Sequence, residues 1–175
     1  MADNVAEPQF ELQLNDAGAT DALGAALARA CPSGTRNSLV FYLTGELGAG
    51  KTTCVRSLLR ALGVEGLIRS PTYTLVETYE TRAIACVHVD LYRLQGPADV
   101  DALGLRDYLD TPCLLLVEWP EKGGAALPAP DLELTLTYSG DSRHARLHAY
   151  SASGQRWLDL LVRDTSLTPY VSNLT

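Results

Sequence analysis

Positive charge is scarce in this sequence. Only two of its 175 residues are lysine, Lys51 and Lys122, and 14 basic side chains face 21 acidic ones, for a net charge of −7. Broad contact with a nucleic-acid backbone needs clustered cations, and the arginines here are scattered, so any link to nucleic acid is expected to be indirect. Long apolar runs are missing too. No stretch approaches the roughly 18 residues of a membrane helix, and no apolar segment follows a basic start as in an export signal, which leads to the expectation of a cytoplasmic protein without membrane contact. The four cysteines, Cys31, Cys54, Cys86 and Cys113, include no C-x-x-C pair, which argues against zinc and thioredoxin-type sites and for packed, reduced thiols. There is no internal repeat and no low-complexity tract. The length suits one α/β domain, expected over residues 1–162, with residues 163–175 as a flexible tail lacking periodicity.

What is present centres on Gly45-Glu46-Leu47-Gly48-Ala49-Gly50-Lys51-Thr52, a G-x-x-x-x-G-K-T phosphate-binding loop. Its glycines allow backbone N–H groups to converge on phosphate oxygens, with Gly45, Gly48, Ala49, Gly50, Lys51, Thr52 and Thr53 as the expected nucleotide contacts. Lys51 supplies a mobile charge for the β- and γ-phosphates, and the Thr52 hydroxyl is a hard oxygen ligand for Mg²⁺. The motif needs a strand before it and a helix after it. Ser38 to Leu43 is a nearly continuous apolar run, as in a strand buried on both faces. Val55, Leu58, Leu59 and Leu62 then recur at helical spacing, and Gly63 is placed to end that helix.

Phe10, Leu12 and Leu14 alternate with polar residues, the pattern of a half-exposed edge strand, and a helix is expected from about Ala19 to Ala30, capped by Asp16 or Thr20. Arg69 to Leu75 follows the loop helix, and Pro71 keeps Ser70 extended. Such a connection in switch-type proteins carries a hydroxyl that touches Mg²⁺ or the γ-phosphate, and Thr72 and Thr74 are the candidates beside the alternative of an ordinary loop. Ile84 to Asp90 reads as a buried strand ending in an acid, with His88 a packed strand residue rather than a ligand. Short helical pieces are expected near Ala98–Leu103 and Leu105–Leu109. Cys113-Leu114-Leu115-Leu116-Val117-Glu118 is a run of aliphatics ending in a carboxylate, at the rim where ligands of open α/β sheets bind. Glu118 is therefore the candidate metal ligand beside Thr52, or the group that polarises an attacking water. Trp119 is a rim packing residue or a partner contact.

From Asp131 the period changes to two. Leu132 to Tyr138 and Ala145 to Ala149 predict an antiparallel hairpin turning at Gly140-Asp141, with His144 and His148 as exposed strand residues and Arg143 a candidate nucleotide contact against the alternative of a solvated surface residue. A helix from Gln155 to Val162 would turn Trp157, Leu158 and Leu161 inward. The fold class expected is α/β, a P-loop NTPase-type sandwich with a mostly parallel central sheet and antiparallel edge strands.

With the loop, Ser70-Pro71-Thr72-Tyr73-Thr74-Leu75, Asp90-Leu91-Tyr92-Arg93 and Val117-Glu118-Trp119-Pro120 in the same order, residues 10–162 closely resemble the bacterial TsaE family, the ATPase component of tRNA threonylcarbamoyladenosine biosynthesis. The resemblance implies ATP or ADP with Mg²⁺ at Gly48 to Thr53, metal contacts by Thr52 and Glu118, a catalytic set of Lys51, Thr72, Asp90 and Glu118, and a partnership with TsaD and TsaB. Cys54 stands where the family often has a bulkier residue. Two rival readings share the loop: a small-molecule kinase, which needs an arginine-bearing lid where Gln95 to Asp110 offers only Arg106, and a guanine-nucleotide switch, whose N-K-x-D motif is missing.

Overall fold

The computed structural model describes residues 10–172 apart from Ser33 and Thr35. In chain order the elements are β1 (Phe10–Leu14), α1 (Ala17–Ala30), β2 (Leu39–Gly45), α2 (Lys51–Ala61), β3 (Val76–Tyr79), β4 (Ala85–Asp90), α3 (Pro97–Asp101), α4 (Leu105–Tyr108), β5 (Cys113–Glu118), β6 (Leu132–Ser139), β7 (Ser142–Ala149) and α5 (Ala152–Val162). The seven strands form one sheet in the order β1-β7-β6-β2-β5-β4-β3. Its centre, β6-β2-β5-β4, is parallel, and the pairs β1–β7, β7–β6 and β3–β4 are antiparallel. Among the described residues no helix is long and apolar enough to cross a membrane.

The continuous apolar runs are explained by a core on both sides of the sheet. Successive strand residues point to opposite faces. Leu39, Phe41 and Leu43 of β2 and Leu114 and Leu116 of β5 join one core under α1, α2 and α5, while Val40, Leu115 and Val117 join a second with Val100 of α3 and Leu105 of α4. A strand covered on both faces has no polar alternation to show. On the first face the Trp157 ring packs at a tilt against Phe41, centres 5.3 Å apart, and donates its indole N–H to the carbonyl of Leu27 at 2.9 Å, which ties α5 to α1.

Helix ends follow local chemistry. The Asp16 carboxylate accepts the Ala19 N–H at 2.8 Å and starts α1, the first of the two expected caps. α2 closes as a Schellman motif, with Gly63 N–H on the Arg60 carbonyl and Val64 N–H on that of Leu59, both 3.0 Å.

The flexible tail expected over residues 163–175 needs correcting for residues 163–172, while residues 173–175 lie outside those described. After α5 the chain makes a 3₁₀ turn over Thr165–Tyr170 with Leu167 buried, and Val171 bridges to Leu12 along the outer edge of β1. A few specific contacts, the burial of Leu167 first among them, and not a period dock this segment. His144 and His148 are half-buried rather than exposed, because Glu11 of β1 meets His144 at 3.1 Å and Tyr150 packs edge-on against His148.

Candidate functional site

β2 delivers the loop and α2 carries it away. Gly45 has φ of +129°, and a Cβ there would lie 2.1 Å from the Leu136 carbonyl oxygen, so only glycine lets the loop leave β2 beside β6. Gly50, at φ of +112°, occupies the N-cap of α2 and offers no side-chain acceptor, which leaves the first amides of the helix for an anion. The loop is also braced from the hairpin: Tyr138 at the end of β6 donates its hydroxyl to the Leu47 carbonyl at 3.1 Å.

Lys51 is only 4% exposed and folds back over the loop, donating to the carbonyls of Gly45 at 2.6 Å and Glu46 at 2.8 Å. Its ammonium lies 4.0 Å from the centre of the Trp119 ring. Burial lowers its pKa below the ordinary 10.5, against the opposing pull of Glu118, Glu121 and Asp90. The two acids stand side by side, because Asp90 and Glu118 are register partners on the parallel strands β4 and β5. Both are nearly inaccessible, at 4% and 2% exposure. Glu118 Oε2 accepts the Thr52 hydroxyl at 2.9 Å. Asp90 Oδ2 accepts the Thr72 hydroxyl at 2.9 Å and its Oδ1 the Tyr92 N–H at 3.0 Å, while Ser70 extends the chain of hydroxyls, 2.8 Å from Thr72.

These groups surround one open cleft of about 220 Å³, lined by Leu47, Gly48, Gly50 to Thr53, Thr72, Asp90, Tyr92, Glu118 and Trp119. That is below the roughly 300–1,000 Å³ of sites that enclose a whole ligand, and fits the phosphate end of a nucleotide with its base outside. Among the described residues no three His, Cys, Asp or Glu side chains are gathered so as to hold a metal unaided. Two adjacent carboxylates and a threonine hydroxyl nonetheless suit Mg²⁺, which takes few protein oxygens and completes its shell with phosphate and water.

Of the residues singled out from sequence, Lys51, Thr52, Thr53, Thr72, Asp90 and Glu118 meet at this cleft with Gly48 and Gly50, while Gly45 and Ala49 shape the loop behind them. Thr74 is exposed and does not line the cleft. Arg143 does not line it either: its guanidinium sits 5.0 Å from the Tyr138 ring and donates to the Asp141 carbonyl at 3.0 Å. Two contributions escaped sequence reasoning: His88 Nε2 lies 2.8 Å from Glu118 Oε1, and Tyr138 braces the loop. Trp119, singled out as a rim packing residue or a partner contact, lines the cleft and covers Lys51. Trp119 and Leu75, at φ of +61° and +66°, are the only non-glycine residues with positive φ among those described, and both flank the acids, a place where stored backbone strain of about 1–3 kcal/mol marks functional sites.

The family model described as "Threonylcarbamoyl adenosine biosynthesis protein TsaE" matches residues 14–146. The chain belongs to the TsaE family. Within it, the chain is 42% identical over 121 residues to the tRNA threonylcarbamoyladenosine biosynthesis protein TsaE of Haemophilus influenzae, covering 69% of this chain and 77% of that one. It is 31% identical over 134 residues to the protein of that name from Bacillus subtilis, covering 77% and 82%. The crystal structure of Bacillus subtilis YdiB superposes with a TM-score of 0.73 at 25% identity, over 87% of this chain and 93% of the other. Nucleotide binding comes with TsaE membership, and the cleft opens at this chain's own loop between β2 and α2.

Proposed function

We propose that this chain is the Mg²⁺-dependent ATP-binding and ATP-hydrolysing component of tRNA N6-threonylcarbamoyladenosine biosynthesis, working with TsaD and TsaB and meeting tRNA only through them. The observation that carries the hydrolytic part is the contact between Thr52 of the loop and Glu118 of the neighbouring strand, 2.9 Å apart beside Asp90. Family membership supports the pathway and the partners.

In this reading the loop amides and the N-terminus of α2 bind the β-phosphate, and Lys51 leaves the carbonyls of Gly45 and Glu46 for the γ-phosphate. Thr52 and Glu118 would hold Mg²⁺, which would supply positive charge against the phosphate oxygens. Asp90 and Thr72 orient the water, and the loop carrying Thr72 closes on the bound nucleotide. No arginine lines the cleft among the described residues, so isolated turnover is expected to be slow. A kinase-type lid has no support, since α3 and α4 bury Val100 and Leu105 against the sheet.

The test is ATP turnover and ADP binding by the purified chain, alone and with both partners. Lys51→Ala should lose nucleotide binding, whereas Glu118→Ala should retain ADP and lose turnover by about 100-fold or more, the scale of a key electrostatic group. Unaltered turnover in both variants would remove the proposed site.

A further inference from the structure

We propose that His88 is the positioning residue of this site, holding Glu118 in the rotamer that serves Thr52 and the metal. The inference rests on the Mg²⁺-nucleotide reading and adds a role that the residue's place in an apolar strand conceals. His88 is wholly buried in the middle of β4, and its side chain meets that of Glu118 across the parallel pair at 2.8 Å. A carboxylate only accepts, so Nε2 must carry the hydrogen. Nδ1 is buried and without a protein partner among the described residues, so the bond to Glu118 is the ring's one polar contact there.

The arrangement divides the carboxylate in two. Oε1 is tied to the imidazole from within the core, and Oε2 is left to Thr52 at the cleft. A glutamate side chain has three rotatable bonds, and with one oxygen free it would sample orientations in which neither oxygen faces the metal position. Burial of a polar ring between aliphatic strands costs more than an apolar residue of its size would, unless its hydrogen bond is used. The geometry states that use. Asp90 needs no such support, because the Tyr92 N–H and Thr72 hydroxyl already fix both its oxygens.

Two substitutions separate positioning from packing. His88→Gln keeps an N–H donor near the Nε2 position, and His88→Leu fills the space without one. ADP affinity is measured by calorimetry without divalent cation and again with Mg²⁺, beside kcat and KM for ATP. Expected for His88→Leu are unchanged cation-free ADP affinity, loss of the gain brought by Mg²⁺ by about 10- to 100-fold, and a kcat lower by a similar factor at constant KM, the range seen when the support of a metal ligand is removed. His88→Gln should recover most of both. Equal losses in the two variants, or a fall in cation-free affinity, would overturn the proposal.

The ¹⁵N spectrum of the histidine rings in the nucleotide-free wild-type protein gives an answer that needs no variant of His88. Glu118→Ala must move the His88 Nε2 resonance, and an unmoved resonance overturns the contact even if His88→Leu does not fold. If the wild-type protein gains no ADP affinity from Mg²⁺, the metal reading is what fails, and the ring resonances still decide whether His88 holds Glu118.

Discussion

At the scale of single residues, the site is a set of charges held in place by each other until a phosphate arrives. Lys51 is the clearest case. Its ammonium spends its donors on two loop carbonyls and rests on Trp119, and burial holds its pKa down. Between that lowered value and 10.5 the unfolded chain binds more protons than the folded one, so the stability of the nucleotide-free protein rises with pH across this window, and below it the cost of burying the charged form is fully present. A bound polyphosphate adds negative charge beside the ammonium and must raise the pKa again. An NMR titration of the Lys51 side chain should therefore give a higher midpoint with ADP than without; identical midpoints would mean that Lys51 does not meet the phosphates. Lys51, Thr52, Asp90 and Glu118, which the fold brings to one cleft, could be picked out in the sequence because each lies within a motif or at a strand end. His88 did not stand out, because its pattern position is that of any buried strand residue and its partner is thirty positions away on the next strand.

At the scale of elements, the strand–loop–helix unit was legible and its neighbours were less so. β5 is found over the span its aliphatic run suggested, since a fully buried strand shows itself as an apolar block ending at the rim. The brace from Tyr138 to Leu47 joins residues 91 apart, and no local pattern announces such a contact. The turn over Thr165–Tyr170 was missed for a related reason: it has too few residues for a period and is held by Leu167 and by Arg29 of α1, whose guanidinium reaches Asp164 at 2.9 Å. Leu167→Ala should cost about 2–5 kcal/mol, as for a leucine removed from a closed core, and the exposed Arg29→Ala no more than about 1 kcal/mol; urea melts of the two variants check both. Burial alone would raise the Asp164 pKa, but the Arg29 and Ser166 donors outweigh it and hold the carboxyl below 3.8. The contribution of this clasp is therefore complete above the ordinary carboxylate value and is lost as pH falls through the lowered one. Hydrogen-exchange protection factors along Asp164 to Tyr170, corrected for the intrinsic pH dependence of amide exchange, should fall only in that acid range.

At the scale of the whole molecule, the two-sided sheet makes nucleotide binding a global property. The loop joins β2, one of the strands that both cores share, to α2, which is packed against α1, so a ligand that requires this junction stabilises the fold as a unit. A ligand that binds only the folded state adds RT ln(1 + [L]/Kd), about 2.7 kcal/mol at one hundred times Kd. For a chain of this size that corresponds to a rise of roughly 5–10 °C in Tm. Saturating ADP with Mg²⁺ should produce this rise in the wild-type protein and none in Lys51→Ala. The same instrument tests the consequence of the net charge of −7. In the proposed reading polyphosphate affinity comes from one focused cluster of amides and a single lysine, not from a basic surface, so bare tRNA should leave Tm unchanged at low and at physiological salt. A tRNA-dependent rise that vanishes with added salt would reveal a backbone-binding face on this chain itself, and the expectation of purely indirect contact with tRNA would have to be given up.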